Sequence, residues 1–418
     1  MAEHPSPAEH DPSDIEPEAA ALDPEAAAVE QDEEGVEHLQ FVPSKQAKLR
    51  LDRYLQNKLK SVSRNQIQKL IACEGVTVNG KAAKPSTTLR AGDVVDVILP
   101  PRPAKTLKPE PIPLDILYED ADLIVINKQA GLIVHPARGQ LTGTLLNALA
   151  HRFQQQHDAA QRGEISHADG TIEGLSSLGA EDARPGVVHR LDRNTTGVML
   201  VAKRDESHWL IARQFERRTT LKAYLALVHG QLPDSGGAIE QPIGKHPTVR
   251  EAMAVRHDSS ARHAVTLYRV RERYRGYCLV ELELKTGRTH QIRVHLSYLG
   301  CPIVGDILYG GEPVGAREIE HPPHTAAAQP FLTYARPKDE GAKLEAQAAQ
   351  REDVLIATPA LHAALLGIKH PITNEPLRFT APVPSPMRDV VAALRMHPED
   401  GPVATEGYWV DLDKALPR

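Results

Sequence analysis

A chain of 418 residues and 45.8 kDa, 41% hydrophobic and 25% charged, is long enough for two or three domains and has the composition of a soluble globular protein. No eighteen consecutive apolar residues occur, and the N-terminus has neither a basic start nor an apolar core, so neither a membrane span nor a secretory signal is expected. Three scattered cysteines, Cys73, Cys278 and Cys301, form no CxxC pair; this argues against a disulfide scaffold or a thiolate zinc site and fits a reducing cytoplasm.

The net charge of −6 conceals a division along the chain. Thirteen of the 55 acids lie in residues 1–38, which hold no Lys or Arg, leaving 49 basic against 42 acidic residues elsewhere. Residues 45–98 carry eleven Lys and Arg against four acids. The folded part is basic, a balance suited to a nucleic-acid partner.

Residues 1–44, rich in Ala, Pro, Glu and Asp and without apolar period, predict a disordered acidic tail. Leu51, Leu55, Leu59 and Val62 then recur at helical spacing. Ser63 with Gln66 forms a capping box for a second helix whose apolar face is Ile67, Leu70 and Ile71. A strand over 76–80 enters an Asn79-Gly80 turn, and a last strand follows at 94–98. Residues 45–99 thus form a small helical unit with short strands. Arg53, Lys58, Lys60, Arg64 and Lys69 lie off its apolar stripe and are its candidate RNA-binding cations. Six prolines over 100–113 make a stiff linker.

Strand-like runs follow at 123–127, 186–189, 198–202, 221–228 and 278–284, with helices around 206–217 and 291–299. Strands outnumber helices without βαβ alternation, so an α+β domain with a central, mostly antiparallel sheet is expected over 114–398. Two polar stretches, about 155–183 and 312–356, read as insertions, and 399–418 as a C-terminal tail.

Chemistry concentrates in three places. In GVVHRLDRNTTG (186–197), Asp192 lies between Arg190 and Arg193 on a loop before a strand, and Thr195, Thr196 and Gly197 suit a tight turn whose hydroxyls and amides fix the carboxylate. Spacing alone leaves both a structural ion pair and a catalytic group open. In 221–228, alternation puts Lys222 and Tyr224 on one face, where Tyr224 offers either edge packing or a flat surface for a flipped base. In KTGRTHQIRVH (285–295), a glycine and hydroxyls precede a helix, with Arg288 and Arg293 as fixed cations that can hold phosphate. His189, His290 and His295 show no metal-site spacing and read as hydrogen-bonded structural groups.

The run HRLDRNTTG (189–197) resembles the signature of the RluA-type pseudouridine synthases, which isomerise uridine in RNA. Further segments agree in order: LYEDADLIVINK (117–128), VHP (134–136), KAYLALV (222–228), TGRTHQIRVH (286–295), VGD (304–306), LHA (361–363) and HP (370–371). Residues 49–99 resemble the αL (S-four-like) RNA-binding module shared with a small-subunit ribosomal protein. That pairing and QPIGKHP (241–247) are most similar to the RluD-like enzymes of large-subunit rRNA. The resemblance implies Asp192 as the catalytic aspartate, Tyr224 as the tyrosine stacking on the target base, and Arg293 as the aspartate's partner. Ile292 then lines the uracil pocket and Arg190 helps extrude the base. Lys222 and Arg288, read from their own segments, are further substrate-binding candidates. Thr196 stands where many relatives have Ser.

Isomerisation at constant mass requires no cofactor, and none is expected; nor is a metal. An ionised aspartate can attack C1′ or take a proton from C2′, and the sequence does not choose. The expected partner is RNA, in large-subunit rRNA or a pre-ribosomal particle, bound by a cytoplasmic monomer. The alternatives are an inactive RNA-binding or ribosome-assembly factor on the same fold, and a glycosylase releasing uracil.

Overall fold

The computed structural model describes residues 26–31, 37–43, 49–59, 64–72, 75–99, 107–136, 142–162, 174–175, 185–322 and 335–416. By internal packing the chain divides into two units, Met1–Ala104 and Lys105–Arg418.

The first unit holds strands β1 (Ala26–Gln31) and β2 (Glu37–Phe41), helices α1 (Leu51–Lys58) and α2 (Arg64–Ala72), and strands β3 (Val76–Val78), β4 (Lys81–Ala82) and β5 (Val95–Leu99). The strands form one antiparallel sheet in the order β1-β2-β5-β3-β4. Leu51 and Leu55 of α1, one turn apart, close over Ile67 and Ile71 of α2, and Val76, Val95 and Val97 complete the core. The β3–β4 turn is the expected Asn79-Gly80, both residues left-handed (φ 52° and 71°), as a two-residue hairpin requires.

In the second unit come β6 (Asp115–Glu119), β7 (Leu123–Lys128), α3 (Leu145–Gln161), β8 (Thr196–Ala202), α4 (Asp205–Glu216), β9 (Leu221–His229), β10 (Gly236–Glu240), β11 (Ile243–Lys245) and β12 (Met253–Val255). There follow β13 (Val265–Tyr274), β14 (Tyr277–Leu284), α5 (Gln291–Tyr298), β15 (Val314–Gly315), α6 (Ala316–Glu320) and α7 (Lys338–Ala349). Last are β16 (Val354–Ile356), β17 (Leu361–Lys369), β18 (Pro376–Thr380), α8 (Ser385–Leu394) and α9 (Leu412–Ala415). Nine strands make one sheet in the order β10-β13-β14-β9-β17-β8-β7-β6, with β18 added to β17. Every ladder in it is antiparallel except the short β17–β8 pairing. The unit is therefore α+β around a mostly antiparallel sheet, as expected. Among the described residues, no helix is long and apolar enough to cross a membrane.

Both faces of the central strands are covered, which is why they read as continuous apolar runs. Ile124, Ile126, Met199 and Val201 enter one core, whereas Leu123, Val125, Val198 and Leu200 enter another on the opposite face. The same burial corrects the reading of 221–228 as half polar: β9 lies between β14 and β17, and Ala223 to His229 are all buried.

Other expectations are also revised. Of the segment expected as a disordered tail, 1–25, 32–36 and 44 lie outside the described residues, but 26–31 and 37–41 form β1 and β2, and Leu39 and Phe41 belong to the first unit's core. Residues 107–113 of the linker are held down, with Glu110 accepting from the Gly143 amide and Asn147 donating to the Lys108 carbonyl. The 312–356 stretch contains β15, α6, α7 and β16 and buries Val314, Ile319 and Ile356. The 399–418 tail packs as well: Val410 and Leu416 are buried, and Arg271 donates to the Val410 carbonyl. The run 186–189 is a turn and bend rather than a strand. Gly186 is left-handed (φ 70°), and a Cβ there would lie 2.4 Å from the Ala202 carbonyl oxygen. Residues 60–63, with the Ser63 cap, and most of 155–183 lie outside the described residues.

Candidate active site

One row of the sheet positions the site. Leu282 of β14 pairs with Tyr224 of β9, Tyr224 with Ala363 of β17, Ala363 with Gly197 of β8, and Gly197 with Lys128 of β7. At the crossing of β8 and β17 the backbones meet so closely that a Cβ on Gly197 (φ 108°) would lie 2.2 Å from the Ala363 carbonyl oxygen. The loop bearing Asp192 ends on this row and is thereby brought beside Tyr224.

Lys128 fixes the loop from below. Its side chain is buried, and its ammonium donates to the carbonyls of Gln129 (3.0 Å), Leu132 (2.9 Å) and Arg193 (2.9 Å). Burial pushes this amine down to about 7, and the charge of Asp192 opposes that push. Thr196 does not fix the Asp192 carboxylate as expected: its hydroxyl lies 2.8 Å from His362 Nδ1. Of the turn, only the Thr195 amide returns to residue 192, donating to its backbone carbonyl.

The carboxylate's partner comes from α5. Arg293 Nη1 donates to Asp192 Oδ2 at 3.3 Å, across 101 residues of sequence. The same guanidinium grips the buried Asp306 in a shorter, two-pronged pair, Nε to Oδ2 at 2.7 Å and Nη2 to Oδ1 at 2.8 Å, and lies 4.8 Å over the Tyr309 ring. Burial opposes the charge on Arg293, but Asp306 and then Asp192 raise its pKa. His290, just before α5, has a left-handed backbone (φ 57°). Its Nδ1 lies 2.6 Å from the Tyr309 hydroxyl and its Nε2 3.8 Å from Asp192 Oδ2. Because that hydroxyl already accepts from the Met253 amide, it can donate to Nδ1, leaving the His290 proton on Nε2 toward Asp192. Burial lowers the His290 pKa, favouring the neutral ring.

Asp192 stands in the walls of two cavities. The larger, about 500 Å³, is also lined by Arg190, Lys222, Tyr224, Arg288, Ile292 and Arg293. The other, about 280 Å³, lies toward Ile133, Val134 and Pro359. In the larger, six basic side chains (Arg190, Arg218, Lys222, Lys285, Arg288 and Arg293) face two acids, Asp192 and Glu216, so the mouth attracts phosphate. Burial, reinforced by Asp192, raises the Tyr224 hydroxyl, which therefore stays protonated. Burial and then Arg218 lower Lys222, whose ammonium is 5.6 Å from the Phe215 ring centre. Arg288 donates to the His263 carbonyl. Arg218 ends α4 in a left-handed conformation (φ 58°), with Thr219 N donating to Gln214 O. Glycine is usual there, and a side chain costs about 1 kcal/mol.

All seven catalytic and substrate-binding candidates from the sequence thus reach one cavity. The candidate RNA-binding cations of the first unit fare differently. Arg53 is exposed on α1, but Arg64 donates at 2.9 Å to the buried Asp52 and is partly committed within the unit. Lys58 is half-buried; Lys60 and the Lys69 side chain lie outside the described residues.

The histidines singled out earlier have structural partners. His189 Nε2 accepts from the Leu200 amide and its ring stacks on Phe215, burial holding its pKa at about 3. His295 bridges Thr266 and the Gln241 carbonyl. Among the described residues one trio, Asp120, Asp122 and His370, has metal-ligand spacing. Its atoms are already matched. His370 Nδ1 accepts from the Ile372 and Thr373 amides and so donates through Nε2 to Asp120, while Ser207 donates to Asp122. That donor set suits a hydrogen-bonded clasp better than a cation.

Lys128, His290, Asp306 and Tyr309 were not found as site residues from sequence. Lys128 had a signal, a lysine placed by strand alternation on the inner side of an apolar run, and Asp306 stood in the VGD segment with no role attached.

Comparison with known proteins gives two family models: RNA pseudouridylate synthase over residues 122–298 and the S4 domain over 49–95. An uncharacterized RNA pseudouridine synthase of Bacillus subtilis is 35% identical over 346 residues, 83% of this chain and 94% of its own. Ribosomal large subunit pseudouridine synthase D of Xanthomonas campestris is 38% identical, over 87% of this chain and 94% of its own. The chloroplastic RNA pseudouridine synthase 2 of Arabidopsis thaliana is 35% identical, over 86% and 84%.

Proposed function

Since the chain belongs to the RNA pseudouridine synthase family, we propose that it isomerises uridines of large-subunit ribosomal RNA, with Asp192 as its catalytic carboxylate. The observation that carries the assignment of the site is the Asp192–Arg293 pair in the wall of a cationic cavity that also holds Tyr224.

A uridine must leave its stack to enter. Tyr224 then packs against the uracil ring and Ile292 walls its other edge, while Arg190 stands at the mouth to occupy the space the base leaves. The carboxylate acts on the ribose, at C1′ as nucleophile or at C2′ as base. The C1′–N1 bond breaks, the retained uracil turns, C1′ bonds to C5, and the proton lost from C5 is balanced by one gained at N1. Arg293 keeps the carboxylate oriented and charged, and its two bonds to Asp306 keep Arg293 from moving with the substrate. Lys222 and Arg288 meet flanking phosphates. The first unit, with Arg53 exposed, docks the rRNA. The name of the Xanthomonas relative supports the large ribosomal subunit as the target. The enzyme works as a monomer in the cytoplasm, for which the buried free thiols Cys278 and Cys301 are suited.

Asp192→Asn tests the reading. Conversion of unmodified large-subunit rRNA transcript should fall at least ~10³-fold with RNA affinity unchanged within about twofold. Retained turnover would refute the role of Asp192, and release of free uracil by the wild type would make the enzyme a glycosylase.

A further inference from the structure

Helix α4 has three kinds of surface. Ser207 and Ile211 are buried, and Ile211 packs with Val198 and Leu200 of the sheet. Ala212, Phe215 and Glu216, with Arg218 beyond the helix end, line the cavity that holds Asp192. Beside that lining runs a stripe at i, i+4 and i+8: Trp209, Arg213 and Arg217, all exposed, Trp209 by 64%. Among the described residues, none of these three side chains has a hydrogen bond, ion pair or ring contact. A lone exposed tryptophan means little by itself. Here it shares a stripe with two unpaired arginines, and the stripe borders a cavity whose mouth is already cationic.

Spacing fits a polynucleotide. Trp209 precedes the cavity-lining Ala212 by three residues, roughly 4.5 Å along the helix axis, a separation that one unstacked nucleotide can span. A base next to one lying in the cavity can reach the indole face, and its phosphates can then run along Arg213 and Arg217. Asp205 and Glu206 stand at the other end of α4, so a phosphate chain is favoured toward the helix C-terminus.

We propose that the Trp209–Arg213–Arg217 stripe is a binding site for unpaired RNA flanking the target uridine, Trp209 stacking on a neighbouring base and the two arginines meeting its phosphates. The proposal rests on the reading of the cavity as the uridine pocket. It assigns the stripe the sequence-tolerant mode of single-strand recognition, in which an aromatic face and a cationic track act together.

The chain has two tryptophans, so Trp409→Phe leaves Trp209 as the sole indole reporter. Titrating that protein with a single-stranded oligouridylate should quench its fluorescence, and salt should reverse the quenching. On unmodified large-subunit rRNA transcript, Trp209→Ala should raise KM about tenfold with kcat within about twofold, and Trp209→Phe should restore most of the loss. Arg213→Ala with Arg217→Ala should flatten the slope of log affinity against log salt by about 1.4, at roughly 0.7 per phosphate contact. An unquenched Trp209, or an unchanged KM in Trp209→Ala, overturns the proposal. Absence of turnover in the wild type would instead overturn the functional reading, and the fluorescence titration would still decide the stripe.

Discussion

Two aspartates, one in each unit, meet arginine in opposite ways. Asp52 in α1 is fully buried, and its carboxylate accepts from Arg50 (3.1 Å), Arg64 (2.9 Å) and Gln68 (3.3 Å). Asp192 is 21% exposed, faces a cavity, and has a single 3.3 Å bond from an arginine whose better geometry goes to Asp306. The first arrangement satisfies the carboxylate completely and leaves it nothing to do. The second holds the charge in place while leaving lone pairs for a substrate. An ion pair in the sequence is thus ambiguous between structure and chemistry until the number of its partners is known.

Beyond the loss expected for Asp192→Asn, the strongest way to break this contrast is to remove the support behind it. Asp306→Asn leaves a buried guanidinium with Asp192 as its one remaining carboxylate, so Arg293 should turn toward Asp192 and take up the lone pairs the substrate needs. We expect kcat to fall about 10²-fold, KM to change little, and the second unit to lose about 3 kcal/mol in urea unfolding. Full activity in Asp306→Asn would mean that the two-pronged pair does not position Arg293 for catalysis.

Asp52→Asn probes the other side. It should lower the stability of the first unit by about 2 kcal/mol, seen as faster amide exchange in α1 and α2, while turnover at saturating rRNA stays within about twofold. The pH dependence has a definite sign. Burial would raise the Asp52 pKa, but its bonds to Arg50, Arg64 and Gln68 overcome this and hold it at about 2, below its usual 3.8. The stabilisation is therefore complete above pH 3.8 and is lost as pH falls through about 2. Circular dichroism melts between pH 5 and 2 should show wild type and Asp52→Asn converging toward the acid end; a constant gap would remove Asp52 from the account.

The contrast also marks what the sequence could reveal. Strands 123–128, 196–202 and 277–284 and helices α4 and α5 were legible because their apolar residues either run unbroken or repeat at helical spacing. Strands β1 and β2 were not, because acids and alanines dominate 26–41 and the pairing partner, β5, lies more than fifty residues away. The insertion at 312–356 buries too few apolar residues, spaced too widely, to show a period. Asp192, Tyr224 and Arg293 could be named from motifs, but Asp306 and Lys128 act through contacts set by sheet register and chain crossing. The Arg64–Asp52 pair was illegible for a related reason: position off the apolar stripe says that a side chain reaches the surface, not whether it also has a partner. Nor could spacing show that Thr196 would turn to His362, since that bond spans 166 residues.

The smallest expected effect separates stability from function at the cavity mouth. Arg218 occupies a left-handed helix end that glycine would take without strain, yet its side chain lines the cavity and its charge helps lower the pKa of Lys222. Arg218→Gly should therefore stabilise the second unit by about 1 kcal/mol in urea unfolding while weakening rRNA binding about threefold, with the salt slope reduced by less than one. The two changes have opposite signs because the arginine is strained where it stands and useful only when phosphate is near. Gain in both stability and affinity would show that the cation at 218 does not meet RNA, and loss of both would show that its side chain has a structural partner in solution.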